Sequence, residues 1–147
     1  MRPGRWIAVG IIIAATVCAD RFAKAAAHAD ARFDIVPGVF SFSGEINTGI
    51  AWGITVLPAA IFWVITAVLI VCILFTLRAW SNKNYFMAAA LLGIDLGAAS
   101  NLVDRIMYGS VIDYLTIGGF LTFNLADLMV VSGVSMIGVR LIFRRQQ

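Results

Sequence analysis

Charge is scarce in this sequence, because acidic and basic side chains together make up only 13% of its 147 residues. Soluble domains carry about 25% charged residues. Histidine occurs once, at His28, and the two cysteines, Cys18 and Cys72, lie in apolar stretches. These absences exclude a histidine-based metal cluster and a disulfide framework. Hydrophobic residues reach 61%, more than a water-soluble fold of this length could bury, so lipid is the expected solvent.

A strong charge of one sign is also missing. The sequence has eleven basic and eight acidic residues, which gives a formal net charge of +3. The basic residues are dispersed along the chain and do not form the clustered face that binds phosphates. No nucleic-acid partner is therefore expected.

Long apolar segments are what the sequence does contain. Four are predicted to span a membrane, at about 6–27, 57–77, 86–108 and 123–143. The second holds no charge over its whole length, and 21 residues at 1.5 Å each cover roughly 31 Å, the thickness of a hydrocarbon core. A removed signal peptide is the alternative for the first segment, but its helical continuation from Phe22 to Ala27 favours a retained span. The predicted fold is a single all-α membrane domain, residues 1–147, with four transmembrane helices.

The region between the first and second spans has a different pattern. Phe40 to Ser43 alternates apolar and polar residues, as a half-buried strand does, and Pro37-Gly38 marks a turn before it. We expect a small extracytoplasmic β-rich segment between helices one and two.

Basic residues outside the spans predict the orientation. With both termini cytoplasmic, seven of the 11 basic residues lie on the cytoplasmic side, as the positive-inside rule requires. Seven of the eight acidic residues then lie on the outer side, and only Asp95 does not. Polar chemistry is therefore expected at the outer membrane face.

The densest polar cluster surrounds the connection between the third and fourth spans. Helical spacing places the third-span members on one face, and Asp113 follows in the short connection. Because few residues join the two helices, Asp113 and Asp127 are expected to face each other. The members are Asn101, Asp104, Arg105, Asp113, Asn124 and Asp127.

Two facing carboxylates have a specific chemical use. Both cannot easily ionise at close range, so one keeps its proton and can polarise a carbonyl. The other stays charged and can take a proton from water, and the pair titrates as a unit. The alternative is that these polar residues only hold helices together.

Five short motifs occur in order along nearly the whole chain. They are Asp20-x-x-x-Lys24, Asn47-x-Gly49-x-Ala51-Trp52, Asn101-x-x-Asp104-Arg105, Val111-x-Asp113-Tyr114 and Phe123-Asn124-x-Ala126-Asp127. Together they resemble the lipoprotein signal peptidase, or signal peptidase II, family. The resemblance departs in the 114–122 stretch, which is shorter than expected, in Trp52, where Phe is commoner, and in Ser100, where Gly is frequent.

The resemblance implies a function. It implies an aspartyl endopeptidase of the bacterial inner membrane that removes signal peptides from lipidated prolipoproteins, cutting before the diacylglyceryl cysteine. It implies no metal or other cofactor, contact with membrane lipid, and a monomer. Asp113 and Asp127 would be catalytic. The residues lining the site, to bind substrate or orient the aspartates, would be Asn47, Asn101, Arg105 and Asn124. The residues supporting the architecture near it would be Asp20, Lys24 and Asp104.

Two other functions stay open at this point. A small ion or proton transporter could use Asp95 and Asp104, and a non-catalytic assembly protein could use the polar set as a lock between helices. Asp95 matches no family motif and is expected to face Ser or Thr partners between helices. Gly93 and Gly97 form a Gly-x-x-x-Gly that favours close helix packing.

Overall fold

The structure, a computed structural model, describes residues 4–49 and 58–144. Four helices and four strands follow one another along these residues. Their order is α1 (Gly4–His28), β1 (Phe33–Val36), β2 (Phe40–Asn47), α2 (Pro58–Ser81), α3 (Tyr85–Tyr108), β3 (Val111–Ile117), β4 (Leu121–Phe123) and α4 (Leu125–Arg144).

All four helices are long and apolar enough to cross a membrane, which confirms the predicted four-span fold. Helix α2 is the most apolar, with a mean hydropathy of 2.4 over Phe62–Ser81. It continues to Ser81, four residues beyond the predicted end, while Leu57 lies outside the described residues. Large hydrophobic side chains stay exposed along the helices, as expected for surfaces that face lipid.

Helix α3 is the centre of the bundle, because it packs against α1, α2 and α4. Glycines allow the closest approach. A Cβ atom on Gly97 would lie 2.5 Å from the carbonyl oxygen of Ala126, and one on Gly133 would lie 2.6 Å from that of Ala90. The predicted role in close helix packing is therefore confirmed for Gly97, whereas a Cβ atom on Gly93 would lie 3.8 Å from the carbonyl oxygen of Met129, an ordinary contact.

An antiparallel sheet of order β1-β2-β3-β4 covers one end of the bundle. The β-structure predicted between the first two helices is present as β1 and β2. The sheet also contains β3 and β4, from the segment between α3 and α4 that the sequence prediction treated as a plain connection. Because Val111 to Tyr114 is buried throughout, this segment lacks the apolar–polar alternation that marks a half-buried strand.

The added strands correct two local predictions. Asp113 lies on β3 instead of in a loop, opposite Glu45 of β2. Helix α4 begins at Leu125, because Phe123 is the last residue of β4. The two catalytic candidates thus come from different kinds of structure, Asp113 from the sheet and Asp127 from the first turn of a helix.

Asp95 lies apart from the sheet, buried between α2 and α3. The hydroxyl of Thr76 lies 2.6 Å from Asp95 Oδ2 and 3.0 Å from the carbonyl oxygen of Cys72. This is the interhelical Ser or Thr partner expected from the sequence. It joins α2 to the central helix.

Candidate active site

Asp113 is held by amide groups from two directions. Its side chain is 1% exposed. Asn47 Nδ2 on β2 donates to Oδ2 at 2.8 Å, and Asn124 Nδ2 donates to Oδ1 at 2.7 Å. The antiparallel pairing of β2 with β3 brings Asn47 to this position. Both carboxylate oxygens therefore have a neutral donor.

Asp127 is positioned by a reciprocal cap at the start of α4. Asn124 Oδ1 accepts from the Asp127 backbone N–H at 2.9 Å, and Asp127 Oδ2 accepts from the Asn124 backbone N–H at 3.2 Å. This is a capping box, which explains the three-residue spacing in the sequence. Asn101 Nδ2 on α3 donates to the other oxygen of Asp127 at 2.7 Å.

Asn124 connects the two carboxylates. It is fully buried, and its side chain bonds Asp113 while its backbone bonds Asp127. Its Nδ2 also lies 3.2 Å from Asn101 Oδ1. Lys24 Nζ donates to that same oxygen at 2.7 Å, which fixes the amide of Asn101 with its Nδ2 toward Asp127. The structure thus brings Asp113 and Asp127 into one hydrogen-bonded unit.

Beneath this unit lies a compensated charge cluster. Lys24, only 1% exposed, is 2.6 Å from Asp104 Oδ2 and 3.3 Å from Asp20 Oδ2. Arg21 forms a further ion pair with Asp104. The i,i+4 pair expected at Asp20 and Lys24 is present, and Lys24 also joins α1 to α3. Buried charges need such pairing to be tolerated.

Asp20 uses its remaining capacity to tie three elements together. It accepts from the hydroxyl of Ser100 at 2.6 Å, from the hydroxyl of Tyr114 at 3.0 Å and from the backbone N–H of Ala126 at 3.2 Å. Sequence reasoning missed the parts of Tyr114, Ser100 and Arg21. Tyr114 is itself a motif residue, and Arg21 and Ser100 are the sequence neighbours of Asp20 and Asn101, so these positions were the available signal.

Among the described residues, Arg105 bonds backbone carbonyl oxygens and no carboxylate. Its guanidinium donates to the carbonyl oxygens of Gly49 at 3.0 Å and Asn101 at 3.3 Å. It therefore links α3 to the segment that follows β2. Ala51 and Trp52, the last two residues of the motif that begins at Asn47, lie outside the described residues.

The electrostatics of the two acid sets differ. Burial raises the pKa of Asp113, and the nearby charge of Asp127 raises it further, against the lowering effect of the Asn47 and Asn124 amides. Among the described residues, no Lys or Arg lies within ion-pair distance of Asp113 or Asp127. Burial also raises the pKa of Tyr114, which keeps its hydroxyl proton for Asp20. The arrangement suits a proton-sharing acid pair.

Comparisons with known proteins agree with one another. A family model described as signal peptidase (SPase) II matches residues 12–143. Curated lipoprotein signal peptidases from Staphylococcus aureus strains JH9 and Newman are 29% identical over 114 residues, covering 75% of this chain and 70% of theirs.

Two solved structures of bacterial membrane enzymes share the fold. One superposes with a TM-score of 0.76, covering 95% of this chain and 88% of the other, at 24% identity. The second gives a TM-score of 0.72 at 24% identity, covering 95% and 93% of the two chains.

Proposed function

The chain belongs to the signal peptidase II family of membrane proteases, which remove signal peptides from lipoproteins, and on this premise we propose that Asp113 and Asp127 carry out the hydrolysis. The single observation that supports this most is the way the two acids are held. Asp113 accepts from two asparagine side chains, and Asp127 accepts from one asparagine side chain and one backbone N–H, within one hydrogen-bonded unit. Such a pair can keep one proton between two carboxylates.

The two acids have different roles in this proposal. The first turn of a helix favours negative charge, so Asp127 is the carboxylate and Asp113 holds the proton. Asn124, which bonds both, keeps their orientation fixed.

Hydrolysis then proceeds without a covalent intermediate. Asp127 takes a proton from water as the water oxygen attacks the scissile carbonyl carbon, and Asp113 gives its proton to the carbonyl oxygen. Asp127 next returns its proton to the leaving amide nitrogen as the C–N bond breaks. Asp113 recovers a proton from a hydroxyl of the tetrahedral carbon, which leaves a carboxylic acid, a free amine and the original pair.

The other residues act through this pair. Asn47, Asn101 and Asn124 orient the carboxylates. Asp20, Lys24 and Asp104 hold α1, α3 and the sheet in place beneath them. Arg105 is assigned to the substrate-binding side of the site because it bonds the segment after Asn47.

The protein is a multi-pass protein of the bacterial inner membrane. We place both termini in the cytoplasm and the acid pair at the outer face, from the distribution of basic residues. The proposed substrate is a diacylglyceryl-modified prolipoprotein, cut just before the lipidated cysteine, by an enzyme acting as a monomer within membrane lipid.

Transport is less well supported. Asp104 is locked in ion pairs with Lys24 and Arg21, so it is not free to carry cations. Asp95 bonds Thr76 on the neighbouring helix. The acid set is gathered at one end of the bundle and does not line a path across it.

The test uses purified protein and a lipidated precursor. Asp113→Asn and Asp127→Asn each remove the carboxyl proton chemistry with little change of shape, so cleavage should fall about 10²–10⁴-fold. Asp34→Asn is the matched control, since Asp34 is exposed on β1 and should leave the rate unchanged.

Two measurements accompany the rates. Thermal unfolding in detergent should show that both variants remain folded, and a precursor lacking the lipid should be cleaved far more slowly by the unmodified protein. Wild-type rates in both Asn variants would refute the proposed mechanism.

A further inference from the structure

A groove opens at the end of the bundle opposite the sheet. Helices α2 and α4 both pack on α3, but among the described residues they do not pack extensively on each other. Where α2 ends and α3 begins, the space between them forms a cavity of about 290 Å³. Its lining comes from all three helices and the link between α2 and α3.

The lining changes character along the helix axis. Phe75 lies six residues before Ser81, about 9 Å into the span. Leu91 of α3 and Ile137 of α4 complete the apolar part. Arg78 and Asn82 lie at the end of the span, where hydrocarbon gives way to water. The cavity is therefore apolar toward the membrane interior and polar toward the water at this end of the bundle, like a phospholipid.

The charge at this end is uncompensated. Arg78 is exposed and forms no ion pair within the described part of the chain. Arg140 adds a second cation, bonded to Asn84 at 2.8 Å and stacked 4.9 Å from the ring centre of Phe86. The acid on these helices that lies nearest in sequence is Asp95, ten residues into α3 and about 15 Å along it. The cavity thus presents positive charge and amide groups, and no acidic side chain lines it among the described residues.

We propose that this cavity binds the headgroup of an anionic phospholipid. The guanidinium of Arg78 would bind the phosphate in the two-pronged geometry that arginine offers, with the Asn82 amide as a further donor. The acyl chains would lie along Phe75, Leu91 and Ile137, in the groove between α2 and α4. Basic pockets between transmembrane helices bind lipid headgroups in this way. The proposal does not depend on the assignment of the catalytic acids.

The experiment measures lipid retained by the full protein. Protein reconstituted in nanodiscs of equal phosphatidylglycerol and phosphatidylcholine is extracted and analysed by native mass spectrometry. The unmodified protein should retain phosphatidylglycerol selectively. Arg78→Gln should reduce its retention about fivefold, the effect of one basic residue at an anionic surface.

Lys83→Gln is the matched control. It removes the same charge from the same end of the bundle, but Lys83 does not line the cavity. A second variant, Ile137→Trp, fills the groove without changing charge and should also lower retention. Cleavage in phosphatidylcholine alone should be unchanged in Arg78→Gln, which separates this test from that of the catalytic pair.

Three results would overturn the proposal. Equal loss in Arg78→Gln and Lys83→Gln would show a diffuse surface charge effect. Equal retention of phosphatidylcholine by the unmodified protein would show no headgroup recognition. Displacement of the lipid by millimolar inorganic phosphate would identify a free-phosphate site instead.

Discussion

Two pairs of carboxylates lie at the same end of this bundle, and they are stabilised in opposite ways. Asp20 and Asp104 are paired with the cations Lys24 and Arg21. Asp113 accepts from two asparagine side chains, and Asp127 accepts from one asparagine side chain and one backbone N–H. Asp113 is as buried as Asp20 and Asp104, while Asp127 is half-buried, so burial alone does not separate the two pairs.

The difference identifies which pair can do chemistry. A carboxylate paired with a buried cation compensates that charge, so losing either partner would leave an uncompensated buried charge. Neutral amide donors stabilise a carboxylate less than a cation does, so a carboxyl group held by them can bind a proton without breaking an ion pair. In the proposed mechanism the first pair therefore holds the fold and the second transfers protons.

The largest effect on cleavage is expected when a cation is placed beside the second pair, so that it resembles the first. Asn47→Lys places an ammonium beside Asp113, which lowers the pKa of that carboxyl and removes its proton. Cleavage should fall about 10²–10⁴-fold while the protein stays folded. Asn47→Gln keeps the amide donor and controls for side-chain length, so it should lose far less. Wild-type cleavage by the Lys variant would show that Asp113 does not need its proton.

Removing the cation from the first pair should affect stability. Lys24→Met leaves Asp20 without its ion pair and Asp104 with Arg21 alone, and breaking a buried pair costs about 3–5 kcal/mol. Unfolding in detergent measures the loss. Arg32→Gln breaks the exposed pair with Asp30 and should cost less than about 1 kcal/mol. Similar costs in the two variants would contradict a structural role for Lys24.

A smaller change should appear in the pH dependence. The N–H that Asn47 donates favours the charged form of Asp113, so Asn47→Ala should raise the pKa of Asp113 above its already raised value. The limb of the pH–rate profile that reports Asp113 should move to higher pH. Thr48→Ala, at the exposed neighbouring position, should leave the profile in place. A shift to lower pH would contradict the proposed hydrogen-bond effect.

Asp95 should give the smallest effect. The Thr76 hydroxyl donates to Asp95 Oδ2 across the interface between α2 and α3. An amide oxygen can accept the same hydrogen bond, and interhelical hydrogen bonds in membranes are worth about 0.6 kcal/mol. Asp95→Asn should therefore change unfolding in detergent by less than about 1 kcal/mol and leave cleavage unchanged. Lost cleavage in the folded variant would add a third acid to the mechanism.

Much of the architecture could be read from the sequence because lipid imposes simple constraints. An apolar run of about 20 residues has few options other than a spanning helix, so all four helices were predicted within a few residues. The apolar–polar alternation from Phe40 to Ser43 predicted β2, in which Phe42 is buried between half-buried neighbours.

What the sequence hid depends on contacts distant along the chain. Successive residues of strand β3 from Val111 to Tyr114 are all buried, so no apolar–polar alternation marks the strand in the sequence. In the sequence the capping box is only a three-residue spacing between Asn124 and Asp127. It can be recognised as a cap once the start of α4 at Leu125 is known. The partners of Asp20 come from α3, β3 and α4, between 80 and 106 residues away, which no local pattern encodes.

The capping box at α4 has a consequence for how the two acids work together. Asn124 holds Asp113 through its side chain and Asp127 through its backbone N–H. In the proposed mechanism Asp127 takes a proton from water, and a protonated carboxyl group is a weaker acceptor for that N–H than a carboxylate. A change of charge at Asp127 therefore acts on the same residue that positions Asp113, so the proposed proton transfers at the two acids are coupled through one asparagine.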